Sequence, residues 1–142
     1  MSLSLRYEDR ATDRDWAEVL AGFPLFAGVS RRQLRKLVRT ATFAELARGE
    51  RINSNGDFLY VVLGGEATML WPTRMSMRTG DYFGELGVLG GQPYSLHVVA
   101  KQHLHLMKLP SLPVLELARR HPPVTMKLLK DLGLRLRPAT AS

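Results

Sequence analysis

Apolar positions change period twice along the chain. Between residues 13 and 39 they recur at helical spacing, with Trp16, Val19 and Leu20 on one stripe and Leu34, Leu37 and Val38 on another. Asp13 is placed to cap the first helix, and Gly22 and Pro24 end it. Ser30-Arg31-Arg32-Gln33 has capping-box spacing, in which the Ser30 hydroxyl and the Gln33 amide serve opposite orphan donors. The helix it opens turns Arg31, Arg32, Arg35, Lys36 and Arg39 outward. From Thr42 the period shortens, and β-prone runs alternate with turn residues. Strands are predicted near 42–47, 58–63, 66–71, 75–78, 95–100 and 103–109. Asn53-Ser54-Asn55-Gly56-Asp57 and Gly64-Gly65 supply residues for turns with positive φ, and Pro72-Thr73-Arg74 makes another turn. Past Pro113 the helical period returns. One helix covers roughly 113–120, His121-Pro122-Pro123 interrupts it, and a second runs from about 124 to 136.

Helices, then strands, then helices describe an α+β, mainly β fold: an antiparallel β-roll or jelly roll with flanking N-terminal and C-terminal helices. The 142 residues suit one domain over 1–142, with N-terminal helices in 1–40, the β-roll in 41–110 and C-terminal helices in 111–138. No apolar run approaches the roughly 18–20 residues that span a bilayer, and the N-terminus lacks a secretory pattern, so the expected compartment is the cytoplasm. With no cysteine, disulfides, thiolate metal sites and cysteine nucleophiles are excluded. The net charge of +7 is uneven: residues 101–142 carry 8 cations against 2 anions, including Arg119, Arg120, Lys127, Lys130, Arg135 and Arg137. A solvated helix face accounts for this cluster, and contact with nucleic acid, anionic lipid or an acidic partner is the sharper alternative.

The stretch richest in chemistry runs from Arg78 to Leu89. It reads as a strand, a turn at Gly80-Asp81 and a short helical turn from Gly84, whose start offers amides to an anion. Phe83-Gly84-Glu85-Leu86-Gly87-Val88-Leu89, then Pro93-Tyr94-Ser95-Leu96-His97-Val98-Val99-Ala100, resembles the phosphate-binding cassette of the cyclic-nucleotide-binding domain family. Pro24-Leu25-Phe26-Ala27-Gly28-Val29-Ser30, Gly49-Glu50-Arg51-Ile52 with Gly56-Asp57, Leu59-Tyr60-Val61-Val62 with Gly65, and the basic helix after Pro122-Pro123 extend the resemblance over about 23–137. It implies a stand-alone regulatory or sensor domain with cyclic AMP or cyclic GMP as ligand, and no other cofactor, metal or catalytic residue.

By the same resemblance, Phe83, Gly84, Glu85, Leu86, Gly87, Pro93, Tyr94 and Ser95 are the ligand-binding residues. Glu85 accepts the ribose hydroxyl, the amides around Leu86 and Gly87 receive the cyclic phosphate, and Ser95 adds a hydroxyl donor. This chain departs from the pattern at Tyr94, which stands where the family has an arginine. A neutral donor is about half as strong toward phosphate as a charged one, and residues 79–100 contain no Lys or Arg to substitute. The expected loss is on the order of 2–5 kcal/mol, roughly thirty- to several-thousand-fold in affinity. The early hairpin before Leu59-Tyr60 is also a few residues shorter than usual for the family.

Other classes have weaker support. His103 and His105 share one face of a strand, as ligands do in cupin-like metal-dependent enzymes. After His105 no acidic residue occurs until Glu116, and His97 is the only other strand histidine, so the pair reads as solvent-facing. Gly-x-Ser-x-Gly and Walker-type signatures are missing. Transcription factors of the catabolite-activator type continue into a helix-turn-helix, whereas this chain stops at Arg137-Pro138-Ala139-Thr140-Ala141-Ser142. Sequence-specific DNA binding is therefore not expected, unless the domain acts with a separate DNA-binding chain. Leu129, Leu132 and Leu136, with Val124 and Leu128 beside them and Leu134 apart, leave the last helix apolar on more than one side. The family resemblance offers two roles for such a helix, a lid over the ligand or pairing with the same helix of a second copy. A homodimer through it is expected, flanked by Lys127, Lys130, Arg135 and Arg137, against a helix packed wholly on its own domain, and a separate protein partner stays open.

Overall fold

The computed structural model describes residues 12–54, 57–71, 73–90 and 96–135. Among the described residues two helices come first, α1 (Asp13–Ala21) and α2 (Arg31–Val38), joined through a 3-10 turn at Pro24–Phe26. Thr12, one residue earlier than expected, caps α1: its hydroxyl accepts the Asp15 N–H at 3.1 Å while the Asp15 carboxylate accepts the Thr12 N–H at 2.9 Å. Ser30 caps α2 as its spacing predicts, accepting the Gln33 N–H at 3.2 Å.

Strands β1 (Thr42–Leu46), β2 (Arg51–Ser54), β3 (Phe58–Gly64), β4 (Glu66–Trp71), β5 (Met75–Arg78) and β6 (Tyr82–Phe83) follow. The chain then forms α3 (Glu85–Gly90), β7 (Leu96–Ala100), β8 (Leu104–Pro110), α4 (Ser111–Arg120) and α5 (Pro122–Arg135). β2 and β6 were not anticipated from periodicity: β2 has one apolar residue, Ile52, and β6 is two residues long, too short to show a period. Among the described residues all strand pairs are antiparallel, in two four-stranded sheets ordered β1-β8-β3-β6 and β2-β7-β4-β5.

The unbroken apolar run of β3 has a structural reason. Leu59, Val61 and Leu63 face the helices, while Tyr60 and Val62 face the second sheet, so both sides of the strand are buried. β8 divides likewise, with Leu104 and Leu106 between the sheets and Met107 and Leu109 under the helices. One core layer therefore lies between the sheets, and a second joins the outer face of the first sheet to Trp16, Leu20, Leu34, Val114 and Leu128. Among the described residues, no helix is long and apolar enough to cross a membrane.

Candidate functional site

The stretch from Arg78 to Leu89 is anchored to β3 at each step. Val62 donates its N–H to the Asp81 carbonyl at 2.8 Å and accepts the Gly80 N–H at 2.9 Å. Tyr60 pairs with Phe83 and Val61 with Tyr82. The Phe83 ring is fully buried, stacked on Tyr60 with centroids 4.8 Å apart. Gly84 follows at φ +96°, and a Cβ there would stand 2.5 Å from the Phe58 carbonyl oxygen. Only glycine lets the chain turn from β6 into α3 this close to β3. α3 thus starts at a fixed place, with Glu85 in its first turn, Leu86 half-buried and Gly87 and Val88 buried.

Glu85 is buried, and its partner comes from fifty residues further along the chain. The Arg135 guanidinium donates to the Glu85 carboxylate, with both side chains nearly covered. One turn earlier on α5, Asp131 accepts the Tyr82 hydroxyl. Asp131 and Arg135 are four apart and share a helix face, which continues the buried apolar line of Val124 and Leu128. The Arg135 guanidinium also lies over the Tyr82 ring, 5.1 Å from its centroid. Two polar groups from the β6–α3 turn are thus matched by two from the closing helix. A cavity of about 250 Å³, bordered by Met75, Asp81, Tyr82, Asp131 and Arg135, adjoins them.

Burial pushes the Glu85 carboxyl above the ordinary carboxylate range, with Arg135 pulling against it and Asp131 adding to the rise. Burial also raises the Tyr82 phenol, and its hydrogen bond to Asp131 raises it further. Tyr82 is therefore a standing donor at ordinary pH.

The sequence-predicted residues divide into three groups. Glu85, Leu86 and Gly87 form the first turn of α3. Phe83 and Gly84 are core residues that position that turn. Pro93, Tyr94 and Ser95 lie outside the described residues. Tyr82, Asp131 and Arg135 escaped the sequence reading: a search for cations within 79–100 finds none, and Arg135 was expected to flank an exposed seam. No local signal marks it, because an Asp and an Arg four apart on a basic helix read as a surface pair. Two other basic residues of the C-terminal segment are paired locally, Arg119 and Arg120 to Glu116 at 3.3 and 3.2 Å.

No protein-family model matches the chain. Among curated proteins it is similar to the cyclic nucleotide-gated potassium channel mll3241 of Mesorhizobium japonicum, with 27% identity over 132 residues. The match covers 91% of this chain and 37% of the channel, so the chain spans little more than a third of that relative's length. Among solved structures, the sensor domain of the transcriptional regulator DNR from Pseudomonas aeruginosa aligns with TM-score 0.71 and 20% identity, over 92% of this chain and 97% of that one. The regulatory domain of Toxoplasma gondii PKA, solved with cAMP, aligns with TM-score 0.73 and 18% identity over 91% and 53%. The catabolite activator protein of Thermus thermophilus aligns with TM-score 0.63 and 27% identity over 80% and 58%. The antiparallel roll of eight described strands with its flanking helices is thus the fold of cyclic-nucleotide-binding domains.

Proposed function

We propose that this chain is a regulatory or sensor domain of the cyclic-nucleotide-binding type and not an enzyme. In this reading it binds cyclic AMP or cyclic GMP weakly or has lost that binding, and α5 is the element that reports its state. The observation that carries this reading is the buried Glu85–Arg135 pair. A ribose hydroxyl reaches Glu85 only after Arg135 leaves it, so ligand entry and the position of α5 are coupled. The cost of separating a buried charge pair counts against binding. The replacement of the cassette arginine by Tyr94 acts in the same direction. In this reading Glu85 accepts the ribose hydroxyl, the Leu86 and Gly87 amides and the Ser95 hydroxyl face the phosphate, and Phe83, Gly84 and Pro93 hold the turn. The exposed side of α5 pairs with the same helix of a second copy.

Calorimetric titration with cyclic AMP and cyclic GMP tests the proposal. The natural chain is expected to bind at tens of micromolar, about 6 kcal/mol, or more weakly. Tyr94→Arg is expected to strengthen binding by about 1.5–3 kcal/mol, the range for a hydrogen bond to a charged group. Submicromolar binding by the natural chain would overturn the proposal.

A further inference from the structure

We propose that Glu45, His103 and His105 form a metal site on the outer face of the first sheet, taking one divalent transition ion such as Zn²⁺. Strand alternation sets the placement. On β1, Phe43 and Glu45 point to the helix side; on β8, Met107 and His105 do the same, and His103 precedes them at the same period. Glu45 is the register partner of His105. α1 covers the first part of this face, with Trp16 packed on Phe43 at 5.1 Å between centroids. The same face then continues past the helices as the three polar residues. Glu45 and His105 keep about a quarter of their side-chain surface exposed (23% and 24%) and His103 58%, so the cluster is reachable from solvent.

The geometry is close to that of a bound ion. The three donor atoms all lie within 4.8 Å of one another. His103 Nε2 is 2.8 Å and His105 Nδ1 3.8 Å from the same Glu45 oxygen. Ligands of a tetrahedral zinc ion stand roughly 3.4 Å apart, given bonds of about 2.0–2.1 Å, and the two observed separations bracket that value. His103 is the most exposed of the three, so its ring has the most room to adjust. The backbones are held. Gly65 packs so closely on His103 that a Cβ there would lie 2.1 Å from the His103 carbonyl oxygen. Opposite His105 on β3 stands Gly64, which puts no side chain over the ring. Two imidazoles converge on one carboxylate oxygen, and a single ion serves all three donors where a proton serves one pair.

The donor set selects the ion. Two nitrogens and one carboxylate suit Zn²⁺, Co²⁺, Ni²⁺ or Cu²⁺ and do not suit Mg²⁺ or Ca²⁺, which require oxygen ligands. Three protein ligands leave at least one position for water. The ion would tie β1, an edge strand, to β8. The site involves neither Glu85 nor α5, so it stands or falls apart from the nucleotide reading.

Untagged, chelator-treated chain titrated with ZnCl₂, CoCl₂ and MgCl₂ decides the matter by calorimetry, with visible spectra for Co²⁺. One Zn²⁺ per chain, Co²⁺ bands competed away by Zn²⁺, and no Mg²⁺ heat are expected. His103→Ala, His105→Ala and Glu45→Gln should each weaken Zn²⁺ binding roughly tenfold or more, since loss of supporting groups behind a ligand already costs 10–100-fold. Circular dichroism without metal checks that each variant folds, and the well-exposed His103 keeps the test decisive if His105→Ala does not. Unchanged affinity in folded His103→Ala, or well under one ion per natural chain, would overturn the proposal.

Discussion

Gly84 and Gly133 separate two uses of the same residue. At Gly84 the backbone takes φ +96°, and a Cβ would meet the Phe58 carbonyl oxygen at 2.5 Å. That oxygen is main chain of β3, so Gly84→Ala carries both a left-handed backbone and a main-chain clash. It is expected to destabilise the fold by about 1–3 kcal/mol. Gly133 lies inside α5 with nothing within 4 Å of its absent Cβ and no positive φ. Gly133→Ala is expected to stabilise by about 0.4–1 kcal/mol, because it removes freedom from the unfolded chain at no cost to the folded one. Urea unfolding of the two variants beside the natural chain measures both signs. Equal effects at the two positions would mean that the β6–α3 turn has room the geometry does not show. In the sequence Gly84 stands out only as the start of the turn before Glu85 and as one of the ligand-binding residues the family resemblance implies. Its present neighbour is the chain's own backbone, a long-range fact that no local motif encodes.

At the scale of elements, the contact between α5 and the β6–α3 turn has a pH signature. The buried Tyr82 phenol donates to Asp131, and burial together with that acceptor holds its pKa above the ordinary value. In the unfolded chain the phenol ionises near pH ~10. A group whose folded pKa is raised contributes fully below its unfolded pKa, and its contribution declines as the pH rises beyond that. Tyr82→Phe is therefore expected to cost about 1.5–3 kcal/mol at pH ~8, the range for a hydrogen bond to a charged group. The difference between the two proteins should shrink by pH ~11. Paired urea melts at the two pH values check this, with the other tyrosines cancelling in the comparison, and a difference that does not change with pH would refute it. Most of the elements themselves were legible in the sequence. Ser30, Gly22 and Pro24 bound the first helices, and β-prone runs set between turn residues placed six strands within a residue or two. What connects α5 to the turn was not legible, because Tyr82–Asp131 and Glu85–Arg135 each join residues about fifty apart. Glu45 was missed for the same reason: a search forward from His105 passes over a strand partner that precedes it by sixty residues.

At the scale of the whole molecule, the roll and its order of elements follow from period changes and from linked motifs, and the two core layers follow from strands buried on both faces. The surface of α5 departs from the expectation. Val124, Leu128, Asp131 and Arg135 occupy the covered side, and Leu132 is half-buried beside them. The apolar residues left in solvent are Met126 at 63% exposure, Leu129 at 49% and Leu134 at 57%, while Leu136 and Arg137 lie outside the described residues. Met126, Leu129 and Gly133 follow helical spacing on the side opposite the core, a stripe suited to a second copy of the helix. Arg135 is withdrawn from this seam by Glu85, which leaves Lys130 as the described exposed cation beside the stripe. Two copies would bring like charges together across the seam, so pairing should tighten as salt rises and screens them. Sedimentation at low and high salt is expected to show a dimer that strengthens with salt in the natural chain. A Met126→Glu, Leu129→Glu variant, changed only at exposed positions, should be monomeric at both. A natural chain that stays monomeric across salt and concentration would remove self-association from the proposed function and leave α5 free for a different protein.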